Sequence, residues 1–427
     1  MHLVTDLGTV APLSAESTFS TTVFEPFLNE LLMAESRAKP MTAPMTETAT
    51  TPSDSPVSSN IVYGVTVGVG SAFPPRVYQQ AETKALFGIK NPVVNKLMDS
   101  GHIETRALYL PEPDPETGTI PYESHAELRA KFLAGIEDIG VRAARAALDN
   151  AGVAPEEVGQ IIGVTSAGLT TPGVSSIVGR ALGLPRNLHR LDVVGMGCNA
   201  GMSALYSAAT AVKADPDITT LLVCCEPNSA GYVKDETVRT GIVNSLFGDG
   251  ASAMVLKGER AFSSHAAKPA ENVDTKTPPA FTIVDFEAYT IEEHWDAMRY
   301  DLNEEQNKLS FFLSPDIPFV VGRNMNVPVD ILLERHGVTM DDIDHWVLHS
   351  GGGAVIDGAL KSLKLTEHDV RHTRSVLRDY GNITSGSFIV SLERLYEEGN
   401  VKTGDVGMLM AMGPGATIEA ALVKFIG

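Results

Sequence analysis

Cysteine is scarce in this chain: three in 427 residues, two of them the neighbours Cys224 and Cys225. That excludes a disulfide framework and makes a reducing cytoplasm the expected compartment. There is no CxxC pair and no HExxH, so no metal grip is expected. Long hydrophobic runs are missing too; none approaches the roughly 18 residues needed to cross a bilayer, so no membrane association is expected. Positive charge is in deficit, with 33 Lys and Arg against 53 Asp and Glu and a net charge of −20. Nucleic acid, whose phosphates demand a basic footprint, is excluded as a partner. Docking to acidic carrier proteins or anionic lipid is disfavoured for the same reason. What is abundant is apolar: 43% of residues are hydrophobic, enough for one large core or two fused ones.

Residues 1–59 read as a disordered N-terminal extension. From Lys39 to Asn60 the chain is dominated by Pro, Thr, Ser, Ala and Met, too poor in apolar side chains to fold alone. A secretory signal needs a basic start, yet the first Lys or Arg is Arg37. Phe24, Phe27, Leu28, Leu31 and Leu32 fall at helical spacing, but the reading taken is an overlong start, with Met41 and Met45 serving equally well as first residues.

From Val62 onward, short apolar runs alternate with amphipathic, Ala-rich stretches, the pattern of an α/β fold with helices covering sheets. Ile161–Val164, Leu221–Cys225, Trp346–Leu348 and Val406–Met410 are predicted strands; Ile139–Ala151 and Ala200–Ala214 are predicted helices. A self-similarity runs through this region. Gly152-Val-Ala-Pro-Glu-Glu-Val158 before one strand matches Gly337-Val-Thr-Met-Asp-Asp-Ile343 before another. The offset carries Val164 onto His349, Gly197 onto Asn382 and Gly201 onto Gly386. A duplicated unit follows, with halves at 60–275 and 276–427 whose strand ends meet at one cavity.

Cys198 is the candidate nucleophile. The segment Leu191-Asp-Val-Val-Gly-Met-Gly-Cys-Asn-Ala-Gly201 runs from an apolar strand into a helix, and the turn sets the cysteine at a positive helix end that favours thiolate. Packing alone does not require Gly195, Gly197 and Gly201 around it. The spacing also fails the dinucleotide fingerprint. His349 ends a strand before Ser350-Gly-Gly-Gly353 and is presented to a cleft; Asn382 precedes a predicted helix at Ser387–Tyr396, which it could also cap.

These blocks, VVGMGCNAG at Cys198, SLFGDGASA at Phe247, HSGG at His349, YGNITSG at Asn382 and the closing Met412-Gly-Pro-Gly415, resemble the type III polyketide synthases, the chalcone-synthase-like family. The resemblance covers roughly residues 60–427. It implies the duplicated thiolase fold, layered αβαβα, and an acyltransferase that condenses malonyl-CoA units. It implies a Cys198–His349–Asn382 triad, gatekeeping phenylalanines at Phe247 and Phe311, and CoA contacts at Arg106, Lys96 and Ala354. Thr171 matches a loop that reaches into a partner subunit's cavity, so a homodimer is implied. The wording of several blocks is nearest to bacterial members that make 3,5-dihydroxyphenylacetyl-CoA, which implies a malonyl starter and malonyl extensions. No cofactor is expected, since a thiolate can hold the acyl chain and neutral donors can stabilise the enolate left by decarboxylation. Two alternatives differ in kind. A ketosynthase III-like enzyme would want a basic face for acyl carrier protein, which this chain lacks. A non-catalytic dimer partner would not need all three triad residues.

Overall fold

The computed structural model describes residues 63–234, 237–266, 279–304 and 308–426. The expected extension, 1–59, lies outside these residues, as does the expected boundary between the halves at 275–276. The strands in chain order are β1 (Val65–Ala72), β2 (Val77–Gln79), β3 (Thr105–Ala107), β4 (Gln160–Thr165), β5 (His189–Val194), β6 (Thr219–Glu226), β7 (Gly250–Lys257), β8 (Ala280–Thr290), β9 (Met298–Asn303), β10 (Lys308–Leu313), β11 (His345–Leu348), β12 (Val406–Gly413) and β13 (Thr417–Ile426).

The two stretches related in sequence fold alike. Helix Val141–Ala151 closes at Gly152 (φ 60°), a 3-10 turn follows at Pro155–Glu157, and β4 begins. Helix Asn326–His336 closes at Gly337 (φ 65°), with a turn at Met340–Asp342 before β11. A left-handed residue ends a helix at little cost when it has no Cβ, which is why the glycine recurs at this point. Further on, the turn Gly197–Asn199 and helix Ala200–Ala214 correspond to Thr384–Gly386 and Ser387–Glu398. The strand pair β6 and β7 then corresponds to β12 and β13.

Nine strands join in the order β11-β12-β13-β8-β1-β7-β6-β4-β5. Outward from the middle, β8-β13-β12-β11 on one side repeats β1-β7-β6-β4 on the other. Within the sheet, the two sides join where Val65 and Thr66 pair with Thr282 and Phe281. Helices Ala200–Ala214 and Ser387–Glu398 share a central core with Ile162, Leu222, Val347 and Leu409 from both sides of the sheet. Ile136, Ala147 and Val178 cover the opposite face of the first half, and Leu332, Ile356 and Leu377 that of the second. The result is the αβαβα layering, with strands buried on both faces and therefore almost continuously apolar. Cys224 faces the central core and Cys225 the outer one, as alternation along β6 requires.

Two local expectations shift. The helix predicted from Ile139 begins earlier, because a π-helical turn at Ile136–Gly140 joins it to helix His125–Gly135. The strand that feeds Cys198, β5, is not buried but forms the edge of the sheet, with Leu191 and Val194 about 40% exposed. Among the described residues no helix is long and apolar enough to cross a membrane.

Candidate active site

Cys198 sits in the turn Gly197–Asn199 that runs directly into helix Ala200–Ala214. The glycines around it have a packing role that the sequence argument denied them. Gly197 is left-handed (φ 73°), and a Cβ on it would lie 2.4 Å from Pro414; one on Gly201 would lie 2.2 Å from the Ser385 carbonyl oxygen. Such distances leave no room for a side chain. The turn that carries Cys198 is thereby pressed against two loops of the second half, one of which carries Asn382.

His349 follows β11, and its backbone N–H donates to the Met410 carbonyl at 2.9 Å. The ring is 2% exposed, with Nδ1 hydrogen-bonded to the Ser387 hydroxyl. Ser387 Oγ also accepts the Ser350 N–H at 3.2 Å. The Asn382 amide is fixed at both ends: Oδ1 accepts the Thr384 N–H at 2.8 Å, and Nδ2 donates to the Gly351 carbonyl at 3.2 Å. Its side chain also acts on the Cys198 thiol, lowering its pKa. Asn382 does not cap the following helix, which starts at Ser387 with Gly386 as its cap residue.

Burial decides the protonation states. It pushes the Cys198 thiol up to about 12, with the Glu226 carboxylate adding to the rise and the Asn382 amide opposing it. It holds the His349 imidazole down to about 4, against a smaller opposing hydrogen bond with the Thr384 backbone. The standing thiolate expected from the helix terminus is therefore outweighed by desolvation. Each group is neutral by itself at neutral pH.

A cavity of about 350 Å³ opens at Cys198 and is walled by Phe247, Phe311, Tyr300, Met298 and Thr384. The Phe247 and Phe311 rings meet edge to face, centroids 5.9 Å apart, within the apolar cluster that includes Cys198. Tyr300 was not among the sequence candidates. The β9–β10 hairpin pairs it with Phe311, and its hydroxyl donates to the Ser166 carbonyl at 3.0 Å. The alternation of Met298, Tyr300 and Leu302 with polar residues was the available signal. Glu226, also missed, is fully buried at the end of β6. It accepts the Ser166 N–H at 2.8 Å and the Ser385 hydroxyl at 2.5 Å, tying a loop of each half together, and burial raises its carboxyl pKa.

Arg106 is not at an entrance. It is fully buried and spends its guanidinium on interior acceptors, among them the carbonyls of Asn244 and Phe247 at 2.6 and 2.7 Å. It cannot meet CoA phosphates there. Of the other basic residues between 76 and 106, Arg76 pairs with Glu82 and Glu112, and Lys84 with Asp99. Lys90 and Lys96 are exposed. Ala354 is exposed in the first turn of helix Gly353–Leu363, where backbone N–H groups suit an anion. Thr171 is exposed on the loop between β4 and helix Val174–Leu182 and does not line this chain's own cavity.

The chalcone and stilbene synthases match this chain in both of their domains, the N-terminal one over residues 64–259 and the C-terminal one over 293–427. The 3,5-dihydroxyphenylacetyl-CoA synthase of Streptomyces toyocaensis is 44% identical over 359 residues, covering 84% of this chain and 89% of that enzyme. The enzyme of the same name from Amycolatopsis balhimycina is 41% identical, covering 84% and 92%. Among solved structures, PKS-I from the brown alga Ectocarpus siliculosus superposes with a TM-score of 0.74 at 26% identity, over 85% of this chain and 98% of that one. With both domains matched and relatives at 41–44% identity over most of their length, the chain belongs to the chalcone and stilbene synthase family and is a type III polyketide synthase, a carbon–carbon bond-forming acyltransferase.

Proposed function

We propose that the enzyme builds an aromatic acyl product, 3,5-dihydroxyphenylacetyl-CoA or the corresponding acid, from malonyl-CoA alone. The observation that carries the reading is the Asn382 amide, which is fixed at both ends and favours the thiolate of Cys198 beside an aromatic-walled cavity. Cys198 gives its proton to His349 as it takes an acyl group from CoA, so that the thiolate forms only in the transfer step. A second malonyl-CoA then loses carbon dioxide. The enolate oxygen that gains charge is met by the Asn382 amide and the His349 N–H, each donor worth about 3 kcal/mol. The enolate carbon attacks the Cys198 thioester, extending the chain by two carbons and returning it to CoA. Thiol, imidazole and amide supply every step, with no further cofactor.

The cavity volume lies at the small end of ligand pockets, which suits a short chain folded for ring closure rather than a long acyl starter. The 3,5-dihydroxyphenylacetyl-CoA synthases at 41–44% identity favour the same product. Lys96 and the helix end at Ala354 would receive the CoA phosphates. A homodimer belongs to this reading: β5 is an edge strand with exposed Leu191 and Val194, and Leu169, two residues before Thr171, is 81% exposed. A cytoplasmic location follows from the CoA substrates. Mass spectrometry of products from malonyl-CoA alone tests the proposal. An eight-carbon dihydroxylated aromatic acid or its CoA thioester is expected; turnover only with an added acyl-CoA starter would overturn the malonyl-primed reading.

A further inference from the structure

Arg106 is among the largest fully buried side chains of the molecule; among the described residues no carboxylate pairs with it directly, although the buried Asp249 attracts its charge. A buried cation is costly unless its surroundings answer it. The answer here is a helix end. Helix Val238–Leu246 stops just before Phe247, and Arg106 Nη1 takes the carbonyls of Asn244 and Phe247, groups left over when a helix ends. Burial lowers the guanidinium pKa, but the charge is retained as these carbonyls require. Two neighbours complete the clamp. Gln80 accepts Arg106 Nε–H at 3.0 Å, and the Tyr232 hydroxyl donates to the same Phe247 carbonyl at 2.5 Å.

The clamped segment is the one on which Asn382 rests. The Asn382 N–H donates to the Leu246 carbonyl at 2.9 Å, and its carbonyl accepts the Gly248 N–H at 3.0 Å. Asn382 therefore has its backbone fixed on both sides by residues flanking Phe247, forming a bridge between the two. Arg106 also packs under the loop itself, since a Cβ on Gly381 would lie 3.0 Å from its Cδ. We infer that Arg106 is a positioning residue for catalysis: by holding the end of helix Val238–Leu246 it sets both the Phe247 ring in the cavity wall and the Asn382 amide over Cys198. The inference rests on the role given to Asn382 above. Its consequence is that loss of the guanidinium impairs decarboxylation and chain folding more than the extent of acyl loading, because Asn382 only tunes the thiol, whereas Cys198 and His349, which hang from other elements, carry the loading itself.

The test compares Arg106→Met, Arg106→Lys and Tyr232→Phe with the native enzyme. Sites are counted by acylation of Cys198 in intact-mass spectra, and the carbon dioxide released from malonyl-CoA is measured per acylatable site. Arg106→Met should load a normal fraction of sites yet decarboxylate about tenfold or more slowly per site, through kcat rather than KM, with more derailed product. Arg106→Lys should fall between, since an ammonium can still donate to the two carbonyls that Nη1 takes but loses the Nε–H that Gln80 accepts. Tyr232→Phe should move in the same direction by less. A merely structural arginine would lower the number of loadable sites and leave the rate per site unchanged; that result overturns the inference. If Arg106→Met does not fold, Tyr232→Phe decides, and a native rate per site there overturns it equally. Asn382→Ala, run alongside, separates the two levels. If it decarboxylates normally, the role of Asn382 falls and the inference with it; if it fails while the Arg106 variants succeed, the inference alone falls.

Discussion

The Ser387 hydroxyl holds Nδ1 of His349 while accepting the Ser350 N–H, and so fixes the plane of the imidazole without fixing its tautomer. A hydroxyl can donate or accept. When Ser387 donates, Nε2 carries a proton and can stabilise an oxyanion; when it accepts, Nε2 offers the lone pair that takes the thiol proton. Both states are needed in one catalytic cycle. Ser387→Ala should therefore slow acyl loading and malonyl-CoA decarboxylation together, each by roughly 10–100-fold, the usual range for a residue orienting a functional imidazole. Stopped-flow loading and carbon dioxide release would measure both. Equal rates in the variant would show that packing alone orients the ring.

Asn382 acts on the Cys198 thiol as well as being the proposed donor to the enolate. Its amide lowers the Cys198 thiol pKa, so removing it should raise that pKa further and slow iodoacetamide alkylation at fixed pH. Asn382→Ala should thus show an alkylation profile displaced to higher pH, alongside a 10²–10³-fold loss of decarboxylation, the typical loss for one oxyanion donor. A profile that overlies the native one would mean that the amide serves the substrate alone.

The three cysteines should separate cleanly. Cys198→Ala is expected to fold and to give no acyl adduct in intact-mass spectra. Cys224 and Cys225 are fully buried in β6, one on each face of the sheet, and take no part in the cavity. Their alanine variants should load normally and lose stability by about 1 kcal/mol, the central value for a core truncation. Adducts on Cys198→Ala would remove it as the nucleophile.

Much of this was legible in the sequence because it was written twice. The offset linking Gly152 to Gly337 follows the pseudo-symmetry of the sheet, but two residues are gained before the reactive turn, so that Gly197 corresponds to Thr384 rather than Asn382; strong periodicity defined helix Ala200–Ala214 to the residue. What was not legible depends on where charge goes in three dimensions. Counting Arg106 among entrance cations was reasonable from composition, but a charge count cannot tell an outward arginine from one buried under a helix end. Glu226 and Ser387 likewise have no signature in sequence, since their partners lie 60 and 38 residues away in the chain. Gly197 and Gly201 were seen, yet their reason is close approach to Pro414 and Ser385, which becomes visible only when the halves are together.

The buried histidine also predicts how stability responds to acid. In the folded enzyme the His349 pKa is held down to about 4 by burial, whereas in the unfolded chain it returns to its ordinary value of 6.5. Between these values the unfolded chain binds a proton that the folded one does not, so stability falls as pH drops through this window. Above about 6.5 the contribution is fully present, and below about 4 both states are protonated and nothing more is lost. The total is of order 3 kcal/mol, from a gap of about 2.5 units at 1.36 kcal/mol each. Glu226 acts in the opposite sense: its raised pKa favours the protonated carboxyl as the solution becomes acidic. That effect is shared by native enzyme and a His349→Gln variant, and cancels in their difference. Calorimetry at pH 7 and pH 4.5 should show the native melting temperature falling further than that of His349→Gln. Equal falls in the two proteins would mean that His349 is already open to protonation in the folded state, and that its ring is not as sequestered as its burial implies.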